Sequence, residues 1–348
     1  MPAQPDRRPR VIIVGAGYAG LTAAHRFAGK AEVTVVAPSD RFVDRIRLHQ
    51  FAAGTCTEEQ VAPVLHSVLP SDAVHIVGSA VTVLPGKVIL LDGRELTADH
   101  IVVAAGSGLG AGVTNLESSR QVRTELEGLA PGSVVQINGA GHTGVELAAE
   151  LAEQRPDLRI TLIDPAGLLP RVSVRARRKA SRHLKSAGIT VTDLMIGLPT
   201  PDLIVDCTGF AAPSINGLSA PDDTLSFGLG LWTAGDIAAT GHRWSCAAAE
   251  PMGAHVADNI IRVSNGGEPQ PFRFGYAIQC ISLGRHRGIV QLVRADDNPR
   301  RLVLSGAGGA FVKERISRKA RRVATGAAKR YTWPTGPLMS EVQHRAVV

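Results

Sequence analysis

One pattern occurs twice in this chain of 348 residues and limits what it can fold into. VIIV at 11–14 runs into GAGYAG and then LTAAHRFAGK, and VVQIN at 134–138 runs into GAGHTG and then VELAAELAEQ. A continuous apolar run marks a strand buried on both faces of a parallel sheet. A glycine loop between such a strand and a helix is a phosphate cradle, and the flanks make an otherwise weak motif informative. Gly15 permits the tight turn, Gly17 lets the backbone approach a pyrophosphate, and Gly20 lets the helix pack closely on the strand. Gly139, Gly141 and Gly144 repeat the set. Each helix start then offers free N–H groups and a positive dipole end to an anion.

One such loop serves one dinucleotide, so two complete units imply two. The pairing that performs chemistry is a flavin dinucleotide in one unit and a nicotinamide dinucleotide in the other. The strand after each loop should end in an acid that accepts from ribose hydroxyls. EVTVVAP at 32–38 ends in Ala37 and Pro38, with Asp40 beyond them, whereas RITLID ends in Asp164. No arginine directly follows Asp164, which points to NADH over NADPH. The alternative for Asp164 is a cap on the turn before Pro165.

The totals bound the class. The length suggests two or three domains, and 44% hydrophobic with 20% charged residues is ordinary for a globular protein with a large core. MPAQPDRRPR has no apolar stretch of the kind a secretory signal needs, so the expected location is the cytoplasm. Cys56, Cys207, Cys246 and Cys280 lie far apart, without the spacing of a zinc site or a local redox disulfide; no metal is expected. The net charge of +7 equals the excess within 311–330, where eight Lys/Arg face Glu314 alone. That balance speaks for one basic helix and against a nucleic-acid groove.

Three further segments complete a set. ADHIVVAAGS at 98–107 and DLIVDCTGF at 202–210 look like the crossovers that link two dinucleotide domains, and LWTAGDIAA at 231–239 resembles a second FAD fingerprint centred on Asp236. Together with the two loops, the chain resembles the FAD-dependent pyridine nucleotide oxidoreductases. Within them it is most similar to the branch of type II NADH dehydrogenases and apoptosis-inducing-factor-like proteins, over about residues 10–300. RFVDRIRLHQ at 41–50 and HRWSCAAAEPMGAHVADNI at 242–260 resemble segments that line the flavin there. QCISLGRHRGIVQ at 279–291 resembles that branch's C-terminal domain, which carries no disulfide chemistry. The resemblance implies FAD contacts from Gly15, Gly17, Tyr18, Ala19, Gly20, Ala37, Arg45, Val81, Ala105, Gly106, Gly235, Asp236, Pro251 and Met252. It implies NAD contacts from Gly139, Gly141, His142, Thr143, Gly144, Asp164 and Gly209.

The chain departs from the pattern at Ala37, at Glu250, where a small or apolar residue is expected, and between 188 and 209. Relatives usually place an antiparallel excursion in the last stretch. Here LMIGLPT is too short for two paired strands, so the nicotinamide domain is trimmed. If a side chain performs acid or base work, Glu250 is the first candidate, because a carboxylate in a partly dry pocket has a raised pKa. Glu146 is the second, facing the flavin–nicotinamide contact by analogy; the bland reading is an acid stabilised by the helix dipole. His49 and His242 flank the flavin segments and read as structural histidines.

The expected fold is α/β, with two Rossmann-like (FAD/NAD(P)-binding) domains and a small C-terminal α+β domain. The FAD domain is discontinuous over 1–112 and 230–266, the trimmed NAD(P)-type domain spans 113–229, and the C-terminal domain spans 267–348. In the last, GIVQLV and RRLVLSG form a hairpin, GAGG at 306–309 reads as a turn, and 311–330 is a basic helix. That helix turns Val312, Ile316, Ala320, Val323 and Ala327 to one face and lies on the protein's own surface rather than on anionic lipid. The expected function is hydride transfer from NAD(P)H through FAD to a quinone or similar acceptor. The alternative is a tailoring flavoenzyme of specialised metabolism that oxidises or cyclises a bulky polycyclic substrate held where the nicotinamide otherwise sits. A flavin-binding protein without turnover is the third reading.

Overall fold

The computed structural model describes residues 7–108, 112–194, 197–210, 212, 215, 221–328 and 331–346. The apolar run at the start forms β1 (Arg10–Val14), buried from Val11 onward, and the first glycine loop hands it to α1 (Tyr18–Phe27). β2 (Glu32–Ala37), α2 (Leu48–Ala52), α3 (Glu58–Val61) and β3 (Val74–Val77) follow. A small antiparallel meander, β4 (Ala80–Leu84), β5 (Lys87–Leu90) and β6 (Glu95–Thr97), precedes β7 (His100–Val103), which returns to pair with β1.

After α4 (Leu116–Glu127) the pattern repeats with β8 (Val134–Asn138), the second glycine loop, α5 (His142–Gln154), β9 (Arg159–Ile163), α6 (Val174–Ser186), β10 (Thr190–Thr192) and β11 (Leu203–Asp206). These four strands form a wholly parallel sheet ordered β10-β9-β8-β11. Among the described residues no strand lies between β10 and β11; Met195 and Ile196 of the short excursion fall outside them.

The chain then re-enters the first sheet. β12 (Ser226–Gly228) and β13 (Leu231–Thr233) complete a six-stranded sheet ordered β12-β13-β7-β1-β2-β3, parallel except for the β12–β13 pair. β12 joins this sheet just ahead of residue 230. The long helix α7 (Cys246–Ser264) packs on α1 so closely that a Cβ on Gly253 would strike the Ala19 backbone. Each parallel sheet thus has its own core: Val11, Ile13, Phe27 and Met252 in the first, Val135, Ile137, Leu147 and Leu162 in the second.

β14 (Ile278–Ser282), β15 (Gly288–Val293) and β16 (Pro299–Gly306) form the C-terminal antiparallel sheet, and α8 (Ala307–Ala324) crosses it. Two expectations are corrected here. GAGG at 306–309 is no free turn: Gly306 takes φ +78° as an N-cap and the next three residues open α8. The basic helix therefore runs 307–324 rather than 311–330, with Lys329 and Arg330 outside the described residues. Its inner face is Gly309, Ser317, Ala320, Val323 and Ala324; Val312 and Ile316 are half-buried and Ala327 is exposed past its end. The face that packs is set by the contacts of the helix with β15, β16 and α1 rather than by its most apolar positions. The helix does lie on the protein's own surface, against β15, β16 and α1. Among the described residues no helix is long and apolar enough to cross a membrane.

Candidate active site

The two glycine loops have the same geometry. Gly15 and Gly139 take φ +112° and +98°, and a side chain on either would strike backbone, at Ala104 and Cys207 respectively. A Cβ on Gly20 would meet the Gly15 carbonyl, and one on Gly144 the Gly139 carbonyl, so both helices sit as near their strands as glycine allows. Gly17 and Gly141 are different: a Cβ there would meet nothing within 4 Å. Both are N-caps, of α1 and α5, and no side chain caps either helix. First-turn amides are thus left facing a space that a side chain would fill, which is what a diphosphate requires.

Around the first cradle, Asp236 follows Gly235 (φ +81°) and accepts from Ser107 Oγ at 2.5 Å. Arg45 lies 3.5 Å from Asp236, donates to the Ser107 and Thr114 carbonyls, and lies over the Phe210 ring. Gly106 sits beside the same guanidinium, and Ala105 lies against Gly15. Ala19 packs on Gly235, and the Gly235 N–H points at the Met252 sulfur, one residue past Pro251 in α7. Tyr18 is buried and donates to Asp44 at 2.5 Å, so its hydroxyl is already occupied. Ala37 ends β2 buried, with its carbonyl accepting from Gly78, and Val81 stands exposed on β4. β2 ends in Ala37 rather than in an acid.

In the second cradle Asp164 accepts from the backbone N–H groups of Ala140 and Ala166, at 2.8 and 2.9 Å. One oxygen therefore ties the glycine loop and the other caps the turn, which is the capping role weighed from sequence. An ionised carboxylate keeps further lone pairs for a hydroxyl. His142 is held at about 4 by burial, with the Arg243 cation adding to the shift, so its imidazole is neutral. Thr143 is half-buried and Gly209 exposed with open space at its Cβ position.

Between the sheets lies a buried charged cluster. Glu146, on α5, accepts from Lys313 Nζ at 2.9 Å and from the Ser282 N–H at 2.8 Å, and His49 Nδ1 is 3.7 Å away. Burial works against ionising this carboxyl, yet Lys313, His49 and the Ser282 amide together hold its pKa below the ordinary value. Lys313 is likewise penalised by burial and likewise held charged by Glu146. Burial lowers His49 to about 4, and its Nε2 has no partner. A neutral imidazole thus faces an ion pair. Glu146 is thus held by contacts from three other elements in addition to any helix-dipole effect, and His49 is one of the residues that make them.

Glu250 is buried on α7 with Tyr331 as its hydrogen-bonding neighbour; burial pushes its carboxyl up to about 9, and Oε1 has no partner. It is protonated near neutrality. His242 packs among Phe272, Phe274 and Tyr276 and pairs with Thr240. All four cysteines are free. Sequence reasoning missed Lys313 by assigning it to a solvated helix. The signal was present: Lys313 precedes Ser317 by four residues and Ala320 by seven, on the buried stripe.

The family model for pyridine nucleotide-disulphide oxidoreductase matches residues 9–193, more than half of the chain. The chain belongs to this family. It is 23% identical to the type II NADH:quinone oxidoreductase of Staphylococcus epidermidis and 24% to that of Staphylococcus aureus, each over 90% of this chain and 95% of the relative. Among solved structures it is similar to the sulfide:quinone oxidoreductase from Aquifex aeolicus, with TM-score 0.76 and 16% identity over 91% of this chain and 92% of that one. It is also similar to NDH2 from Plasmodium falciparum in complex with NADH, with TM-score 0.73 and 13% identity over 94% and 99%. The protein is an FAD-dependent oxidoreductase of the NAD(P)H class, with a Rossmann-type fold. The residues present fit FAD: the first cradle is uncapped and open at Gly17, and Asp236 and Arg45 stand beside it.

Proposed function

We propose that this protein oxidises NADH and passes the electrons, through FAD held at the first glycine loop, to a quinone or similar acceptor. The observation that carries the reading is the pair of uncapped, open cradles of one geometry, one in each parallel sheet, with the Glu146–Lys313 pair between α5 and the C-terminal sheet. Bound FAD supplies the hydride and electron chemistry. The chain binds, orients and keeps water away. Gly15, Gly17 and Gly20 shape the diphosphate seat, with Asp236 and Arg45 toward the ribityl side. Gly139, Gly141, Gly144 and Asp164 serve the nicotinamide dinucleotide. Glu146, held ionised by Lys313, presents a fixed negative charge beside neutral His49 and sets the local electrostatics. Glu250, neutral on burial, is the candidate proton holder.

The proposal divides the chain as read from sequence, an FAD domain, a trimmed nicotinamide domain and a C-terminal domain, with the return to the FAD domain moved forward to β12. It locates the protein in the cytoplasm, in reach of NADH, with a membrane-borne quinone met at the surface. None of the relatives named above is a tailoring enzyme. The test is anaerobic. Purified yellow protein mixed with NADH should lose its flavin band, and a soluble quinone should restore it. No bleaching with NADH in large excess refutes the nicotinamide step; bleaching without recovery refutes the quinone step.

A further inference from the structure

A recess of about 400 Å³ lies where α6, the turn joining β14 to β15, and the junction of β16 with α8 meet. Lys179, Arg182, His183, Arg287, Ser305 and Gly306 line it, and no carboxylate does. Lys179 Nζ donates to Ser305 Oγ at 2.7 Å, which fixes the ammonium across the gap between α6 and β16. Gly306 is the N-cap of the 18-residue α8, and no side chain caps that helix. Residues 171–187 hold seven Lys/Arg and no acid, so this concentration of charge is separate from that of α8. Glu153 reaches the turn from α5, but its Oε2 accepts the Arg285 N–H.

This recess is distant in topology from the dinucleotide cradles. The glycine loop and Asp164 sit at the carboxyl ends of the strands in the second sheet. α6 leaves that end and returns toward the other, so its second half, from Lys179 onward, lies toward the opposite end of the sheet. The Glu150 and Glu153 contacts to the same turn come from the last part of α5, in agreement.

Convergent cations, a hydroxyl, an uncapped helix start and a concave wall are the elements that bind phosphoryl groups. We infer that this recess is a second, non-catalytic site for an anion carrying two or more phosphoryl groups. Such an anion bridges the nicotinamide-type unit and the C-terminal sheet, whose helix α8 carries Lys313 to Glu146. The chemistry is shared by free oligophosphates and by the phosphates of an anionic lipid headgroup.

The test uses the full-length, FAD-loaded protein and sodium tripolyphosphate as probe, by calorimetry at constant ionic strength. One variant combines Lys179→Gln, Arg182→Gln and Arg287→Gln; a control combines Arg171→Gln, Arg175→Gln and Arg300→Gln, which removes the same charge outside the recess. The wild type should bind one triphosphate, the first variant about tenfold or more weakly, and the control nearly as the wild type. Circular dichroism and NADH bleaching unchanged from wild type establish that both variants fold. Equal weakening in both variants overturns the site in favour of general charge attraction. Unchanged binding in the first variant overturns it in favour of the second glycine loop or another location. Competition by phosphatidylglycerol vesicles, and none by phosphatidylcholine, supports the site with a lipid headgroup as occupant. Triphosphate binding that such vesicles do not disturb supports it with a free anion.

Discussion

Removing Lys313 should be costly, and costly in a pH-dependent way. Glu146 is buried, and its partners are Lys313 at 2.9 Å, the Ser282 N–H at 2.8 Å and His49 at 3.7 Å. His49, with a pKa of about 4, contributes no charge above pH 6, so Lys313 is the counter-ion. Breaking a buried pair by deleting one partner typically costs about 3–5 kcal/mol. The Ser282 amide remains, which places Lys313→Met near the lower end, about 3 kcal/mol at pH 8. In the wild type the carboxyl pKa is depressed, so its contribution is present above the ordinary carboxylate value and is lost only as pH falls through the folded value. In Lys313→Met, burial is no longer opposed and the folded pKa rises above the unfolded one. The folded variant then holds a proton the unfolded chain releases, and its stability falls as pH rises through that window. The gap between variant and wild type should therefore widen from pH 5.5 to pH 8. Urea unfolding with excess FAD, followed by circular dichroism, measures it, and a cycle with Glu146→Gln isolates the pair. A coupling of about 2 kcal/mol is expected. Costs that simply add, or a pH-independent gap, would refute a buried ion pair at this position.

The other expectations are shorter. Gly17→Val should fold and yet emerge colourless, because its Cβ meets no protein atom within 4 Å and the side chain fills the diphosphate seat; Gly141→Val should stay yellow but no longer bleach with NADH. Absorbance of the purified variants decides both, and a yellow Gly17→Val protein contradicts the assignment of the first cradle. Glu250 carries a pKa raised to about 9, so between its ordinary value and 9 the folded protein holds a proton that the unfolded chain gives up, and stability declines with rising pH. Glu250→Gln should flatten that decline by up to about 1.4 kcal/mol per pH unit, read from urea midpoints between pH 5 and 9. His49, His142 and His242, each lowered to about 4, act in the opposite sense: stability is full above pH 6.5 and falls as pH drops toward 4. Replacing His49 by Gln should reduce that acid-side slope by up to about 1.4 kcal/mol per pH unit; an unchanged slope refutes a neutral, buried His49.

What could be read from the sequence was local, and what could not was long-range. Both cradles were legible because every element of each lies within about twenty residues and glycine is required at its tight positions by backbone contact. The shortened stretch before β11 was legible for the same reason, since too few residues were present to pair. The Glu146 cluster was not. It assembles His49 from α2, Glu146 from α5, Ser282 from β14 and Lys313 from α8, four elements that no spacing rule connects. Composition even pointed the wrong way, because a run of eight cations reads as a solvated face, and one half-buried, inward-paired lysine in it is masked by the others. The same averaging hid the α6 charges, whose seven cations cancel against acids elsewhere in the count. Asp164 is a mixed case: the acid stands where the motif requires, but only geometry could reveal that two backbone amides also engage it. Sequence patterns therefore located the two glycine loops, while the charged cluster at Glu146 comes from helices and a strand gathered across 265 positions, from His49 to Lys313. Substitutions that spare both glycine loops but disturb α8 should accordingly leave the colour of the protein intact and change its turnover.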